Sequence, residues 1–155
     1  MALDSNAGKR ATTWVAICVG CVAGFEGLRQ AAYIDPVGIP TICFGETDGV
    51  RLGDQKTAEE CRQLLGERVK EFGDGVDSCV RVPLTPERKA AYTSMAYNVG
   101  VQAFCGSTLV RKANAGDWRG SCDEMMRWNR AGGVPWPGLT KRREAERDLC
   151  LKGIA

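Results

Sequence analysis

FEGLRQAAYIDPVGIPTICFGET, residues 25–47, changes character twice. At Phe25-Glu26-Gly27 an uncharged apolar run stops, and Gly27 offers the positive-φ residue that ends a helix. From Ala31 the chain is rich in Tyr, Ile, Val, Thr and Phe, with Pro36-Val37-Gly38 in the middle. Such residues suit a pleated surface and the interruption suits a turn, so the segment predicts a β-hairpin turning near Pro36 to Gly38. Glu26 then lies at a helix end, Asp35 at the turn and Thr41 on the returning strand. A helix end followed by a hairpin can aim all three side chains into one cleft.

Upstream, residues 11–25 carry no charge and follow Lys9 and Arg10. Three readings stay open: a buried first helix of the domain, a weak signal anchor, and a lipoprotein-like site at Val19-Gly20-Cys21. A standard membrane span needs about 20 apolar residues, so this run is short. Lipoprotein cleavage would strip the helix before Glu26. The expected layout is residues 1–10 as a tail, 11–25 as the apolar helix or anchor, and 26–155 as the catalytic domain.

Downstream, Gly45, Gly49 and Gly53 keep the chain loop-like, and then helical signals take over. Thr57-Ala58-Glu59-Glu60 is a capping box, followed at helical spacing by Cys61, Leu64, Leu65 and Val69. That helix is expected to reach Phe72 and break at Gly73-Asp74-Gly75. Thr85-Pro86 starts another, running to Gly100. Ser107 to Ala113, Asp117 to Trp128 and Thr140 to Leu151 complete the helices, with Ala131 to Gly138 as a rigid aromatic loop. The fold class is α+β, mostly helical, with one small early hairpin.

The composition narrows the chemistry. The chain has 155 residues, enough for one domain with a real core, and 44% of them are hydrophobic against 26% charged, a globular balance. It contains no histidine. Ser-His-Asp and Cys-His nucleophile systems and His-ligated metals are therefore excluded, and hydrolysis would rest on carboxylates or other side chains. A net charge of +2 gives no support to general nucleic-acid binding. Residues 45–80 are acid-rich and Arg111 to Arg147 basic, and any single Lys or Arg there reads equally as part of a solvated helix face. Eight cysteines lean toward an oxidising compartment, and no recurring C-x-x-C pair suggests a metal site.

Glu26, Asp35 and Thr41 are what glycoside hydrolysis needs. One carboxylic acid protonates the leaving oxygen, and a second group handles the anomeric carbon or its water. The apolar residues before Glu26 would favour its protonated form. Spacing alone favours the plainer reading, Glu26 as a surface acid at a helix end and Asp35 as a turn former before proline.

Phe25-Glu26-Gly27-Leu28-Arg29, Ala32-Tyr33-Ile34-Asp35 and Gly38-Ile39-Pro40-Thr41 closely resemble the phage-type lysozymes of glycoside hydrolase family 24, whose pattern is Glu, eight residues, Asp, five residues, Thr. Tyr97-Asn98-Val99-Gly100, Ser107-Thr108-Leu109, Trp128, Ala131-Gly132-Gly133 and Arg142-Arg143-Glu144 extend the likeness along nearly the whole chain. The resemblance implies a two-lobed muramidase, without cofactor or metal, that cuts the β-1,4 bond between N-acetylmuramic acid and N-acetylglucosamine. Glu26 would be the general acid, with Asp35 and Thr41 holding the attacking water and inverting the anomeric carbon. Such a pair leaves roughly 6.5–9.5 Å between its carboxyls. Arg142 matches an arginine that orients the catalytic Glu, and Tyr97, Asn98 and Ser107 match positions lining the sugar cleft. A non-hydrolytic binder of the same fold and a lytic transglycosylase are the competing readings.

Two departures stand out. The family usually reads Thr-Ile-Gly-x-Gly-His on the returning strand, and here Cys43 replaces the Gly and Glu46 the His. The family His pairs with an acid on the next helix, so Glu46 needs another partner, with Lys56 and Arg62 as candidates. A Cys on this strand resembles the signal-arrest-release endolysins, which enter the periplasm on a weak membrane anchor. That implies a monomeric periplasmic enzyme, first tethered to the inner membrane through residues 11–25. Eight cysteines allow about a hundred pairings. The family layout implies Cys122–Cys150, Cys43–Cys61 and Cys79–Cys105, leaving Cys18 and Cys21 free or able to exchange with Cys43.

Overall fold

The computed structural model describes residues 5–152, with side chains from Thr13 onward. Met1 to Asp4 of the expected tail lie outside the described residues. Helix α1 spans Ser5–Glu26, so the tail is helical from Ser5, earlier than expected. Once a packed segment has nucleated a helix, each added residue costs little. Cys18 and Val22, four residues apart, are fully buried. Gly27 takes φ 71° and ends the helix where its sequence indicates.

Strands β1 (Arg29–Ile34) and β2 (Pro40–Cys43) form the expected antiparallel hairpin. Tyr33 faces Thr41 and Ile34 faces Pro40, with a register shift between Arg29 and Tyr33. Helix α2 (Ala58–Asp77) starts at the Thr57/Glu60 capping box but does not break at Gly73-Asp74-Gly75. A Cβ on Gly73 would lie 2.3 Å from the Trp14 ring, and one on Gly75 would lie 2.6 Å from Val101. The glycines serve close packing, and that packing outweighs a propensity cost of about 1 kcal/mol each.

Helix α3 (Pro86–Val99), capped by Thr85, is buried continuously from Arg88 to Ala96. A short helix α4 (Val101–Cys105), absent from the sequence expectation, follows Gly100. Helix α5 (Thr108–Asn114) is capped by Ser107, and α6 (Trp118–Glu124) by Asp117. A 3-10 turn covers Met125–Arg127. The expected aromatic loop is instead a second hairpin, β3 (Arg130–Ala131) with β4 (Val134–Pro135). Gly132 and Gly133 both have positive φ, the double-glycine signature of a two-residue hairpin turn. Helix α7 (Pro137–Lys152) starts three residues before Thr140.

Two apolar clusters define the lobes. One joins Cys18 and Val22 of α1 with Ile42, Phe44, Leu65 and Val69. The other gathers Val76, Tyr92, Met95, Phe104, Leu109 and Met125 among the later helices. Cys43–Cys61 ties β2 to α2, Cys79–Cys105 ties the end of α2 to α4, and Cys122–Cys150 ties α6 to α7. These are the three pairs the resemblance implies, and Cys18 and Cys21 are unbonded. Among the described residues, no helix is long and apolar enough to cross a membrane.

Candidate active site

The hairpin sets two of the three expected residues around the backbone of Ile39. Asp35 Oδ1 accepts from the backbone N–H of Val37 at 3.0 Å and of Ile39 at 2.8 Å. Thr41 Oγ1 donates to the carbonyl of Ile39 at 2.9 Å. Asp35 therefore does form the turn, and its carboxylate is oriented by doing so. Thr41 is buried, with its hydroxyl beside that turn.

Glu26, at the end of α1, meets the chain just past β2. Its Oε2 lies where a Cβ on Gly45 would approach to 3.5 Å, so the chain just past β2 runs against the carboxylate. Gly45 has φ 84°, and that backbone conformation is what favours glycine there. Its other oxygen, Oε1, accepts from Arg142 Nη1 at 2.7 Å. The expected apolar setting of Glu26 is therefore only half present, with Phe25 beside it in the chain and a guanidinium in front of it.

Arg142 is held on several sides. Nη2 donates to the Ser94 carbonyl at 3.2 Å, and Nε lies 3.4 Å from Glu146 Oε1. Its guanidinium sits 5.1 Å from the centroid of the Phe25 ring. Glu146 is fully buried and lies 2.9 Å from Arg143 Nη1. Burial pushes the Glu146 carboxyl up to about 7 from its ordinary 4.5, against the pull of Arg143 and Arg142. Arg143 Nη2 in turn donates to Asn98 Oδ1. Ser94 and Glu146 belong to this network and were not anticipated. The signal for Glu146 was its spacing, three and four residues after Arg143 and Arg142 on one helix.

The remaining expected residues divide. Tyr97 is half-buried, and its hydroxyl donates to the Phe44 carbonyl at 2.7 Å, clasping α3 to the hairpin. Burial, with Glu26 and Glu46 nearby, raises its phenol well above the usual range. Asn98 is exposed and orients Arg143. Ser107 is buried: its Oγ donates to Phe104 O at 2.6 Å and accepts from Val110 N, so its hydroxyl is committed to capping α5.

Glu46 pairs with neither Lys56 nor Arg62. Its Oε2 lies 2.6 Å from Arg68 Nε, and its Oε1 accepts from Nη2 at 3.1 Å. The Cys43–Cys61 disulfide presses one stripe of α2 onto the hairpin, and Arg68 lies on that stripe, two turns beyond Cys61. Arg62, one residue round the helix, points to solvent. Cys43 adopts φ 61°, a conformation that favours glycine, which is the residue the resembling family carries there. Burial raises the thiols of Cys18 and Cys21, and Cys21 Sγ donates to Ser94 Oγ at 3.7 Å.

The phage lysozyme family model matches residues 23–146, which contain every one of these groups except part of α1. The chain is 41% identical over 131 residues to the SAR-endolysin of Bacteriophage PS119, covering 84% of this chain and 78% of that one. It superposes on the endolysin of Escherichia coli O157:H7 phage FAHEc1 with a TM-score of 0.80, at 36% identity and over 89% and 92% of the two chains. It superposes on the muramidase domain of SpmX from Asticaccaulis excentricus with a TM-score of 0.82, at 32% identity and over 86% and 94%. The two-lobed helical fold, the matched segment and the identity over most of the chain agree, and the chain belongs to the phage lysozyme family.

Proposed function

We propose that this chain is an endolysin that hydrolyses the glycan strands of peptidoglycan between N-acetylmuramic acid and N-acetylglucosamine. The observation that carries the reading is the Arg142-held Glu26 at the head of a hairpin that orients Asp35 and Thr41. Glu26 donates its proton to the leaving oxygen. Asp35 commits Oδ1 to the turn and keeps Oδ2 for the attacking water, with the Thr41 hydroxyl beside it. The water then enters opposite the leaving group and inverts the anomeric carbon. Arg142 fixes the Glu26 rotamer, so the proton is delivered along one line.

Digestion of purified peptidoglycan tests this. New reducing ends that vanish in Glu26→Gln support hydrolysis. Anhydro ends would indicate a transglycosylase, and no release at all a binder.

The same reading has the monomer acting in the periplasm after a period at the inner membrane, held through residues 11–25. The likeness to SAR-endolysins and the uncharged run ending at Glu26 support it. In the tethered form Glu26 would be drawn to the membrane face and kept from substrate. Depolarising cells while following release and lysis tests the tether, and activity that ignores membrane attachment would sink it.

A further inference from the structure

Beside Glu26 lies an open pocket of about 400 Å³ that none of the roles above uses. It is lined by Phe25, Ala131, Trp136, Gly138, Leu139 and Arg142. Small-ligand sites commonly fall in the range of about 300–1,000 Å³. Two of its walls belong equally to Glu26. Phe25 precedes it in the chain, and Arg142 binds it at 2.7 Å. No residue of the β1–β2 hairpin, which carries Asp35 and Thr41, contributes to it.

Trp136 is the platform of this pocket. Its indole Nε1 donates to the Ala131 carbonyl at 3.1 Å, and its backbone N–H donates to Asn129 O at 2.9 Å. The β3–β4 hairpin thus fixes the ring edge while 56% of the residue stays exposed. Trp14, Trp118 and Trp128 are all partly buried, so Trp136 is the one exposed tryptophan. A large aromatic face that is rigid, exposed and aimed into a concavity marks a binding surface.

We propose that this pocket binds the glycan on the leaving-group side of the scissile bond, with N-acetylhexosamine rings laid on Trp136 and against Phe25 and Leu139. It rests on Glu26 being the proton donor. The donor must touch the leaving oxygen, so the sugar bearing that oxygen sits against Glu26. The water-holding pair is entirely on the β1–β2 hairpin, so the strand leaves on the other side of Glu26, toward α7 and β3–β4. The C–H face of a pyranose is apolar and stacks on the electron-rich face of an indole. Phe25 and Leu139 offer apolar contact to an N-acetyl methyl. The concavity favours a chain laid into it over a bilayer, which would reach Trp136 but not the Arg142 floor.

The test compares the full chain with Trp136→Ala and Trp136→Phe on purified glycan strands. Trp136→Ala should raise KM about 3- to 10-fold, the loss of one aromatic contact. It should leave kcat nearly unchanged and shift the lengths of the released leaving-side fragments. Trp136→Phe should restore most of both. With hydrolysis silenced by Glu26→Gln, soluble N-acetylglucosamine oligomers should quench tryptophan fluorescence, and Trp136→Ala should abolish the quench. An active chain whose KM, fragment lengths and quench all ignore Trp136→Ala overturns the proposal. So does Trp136-dependent binding to anionic phospholipid vesicles with glycan binding intact. A wild-type chain that releases no reducing ends removes the hydrolase reading instead. The quench then decides the pocket alone, its loss in Trp136→Ala keeping a glycan site and its persistence removing one.

Discussion

Glu46 and Arg68 form a two-pronged ion pair, with Oε2 to Nε at 2.6 Å and Oε1 to Nη2 at 3.1 Å. Arg68 also meets Asp48 and Glu71, so one guanidinium gathers three carboxylates beside Tyr97 and Gly45. These contacts hold the Arg68 guanidinium even more firmly charged than usual. The resembling family has a His and an acid in these two roles. This chain keeps a bridge between the strand end and the next helix but reverses its charges. Sites far from water make such a pair costly to break from one side, and the Glu46 side chain is only 9% exposed. Glu46→Gln should cost about 1–2 kcal/mol in urea unfolding, and Arg68→Met a similar amount. The double variant Glu46→Gln/Arg68→Met should cost less than the two single losses added together. Additive single and double effects would show that the pair is not coupled.

Arg142 bears on rate more than on affinity. It touches Glu26 but belongs to α7, and a misplacement of about 1 Å in such a group costs roughly 10²-fold in rate. Arg142→Met should lower kcat on peptidoglycan by about that factor with little change in KM. Arg142→Lys keeps the charge but not the fork that spans Glu26 and Ser94 O, and should fall between the two. Circular dichroism at the assay temperature separates this from unfolding. A rise in KM at constant kcat would reassign Arg142 to substrate binding.

Glu146 makes stability depend on pH. Its carboxyl is raised to about 7 in the folded chain from its ordinary 4.5, because burial disfavours the anion. The groups facing it are Arg142 and Arg143 on its own helix, Ser94 on α3, and Cys18 and Cys21 on α1. A carboxyl raised by folding binds its proton more tightly in the folded state. Its contribution to stability is therefore fully present below about 4.5 and is lost as pH rises through about 7. Thermal midpoints of the wild type should fall across that window relative to Glu146→Gln, which cannot ionise. Parallel curves for the two proteins would reject the shift.

How much of this was legible can be read from particular residues. Caps and turns were legible because they act locally: Thr57, Thr85 and Gly27 do in the structure what their types predict. Asp35 was legible as a turn former, and it accepts from the backbone of Val37 and Ile39 as that role requires. The end of α2 was misread because Gly73 and Gly75 look like breakers. Their reason is Trp14 and Val101, residues distant in sequence that only the folded chain brings near. The β3–β4 hairpin was missed although Gly132-Gly133 signals it, because its strands are two residues each and carry no alternation. Arg68 was passed over for Arg62 since choosing between them requires knowing which face of α2 the Cys43–Cys61 bond turns inward.

The two glycines of α2 with opposite surroundings give a direct measure of that packing. Gly66 is helical, and a Cβ there would meet nothing within 4 Å. Gly66→Ala should stabilise the chain by about 0.5–1 kcal/mol, because alanine loses less backbone freedom on folding. At Gly73 the same Cβ would come within 2.3 Å of the Trp14 ring. Lys89 joins the two, its Nζ lying 5.0 Å from the Trp14 ring centroid and donating to Gly73 O at 2.9 Å. The added methyl must displace the ring or the helix, so Gly73→Ala should destabilise by about 1–3 kcal/mol despite the better helix former. Trp14→Leu in the same background should return part of the loss by making room. Equal gains at both positions would mean that α1 yields to the added methyl, and that the closeness of Trp14 to α2 is not what keeps residue 73 a glycine.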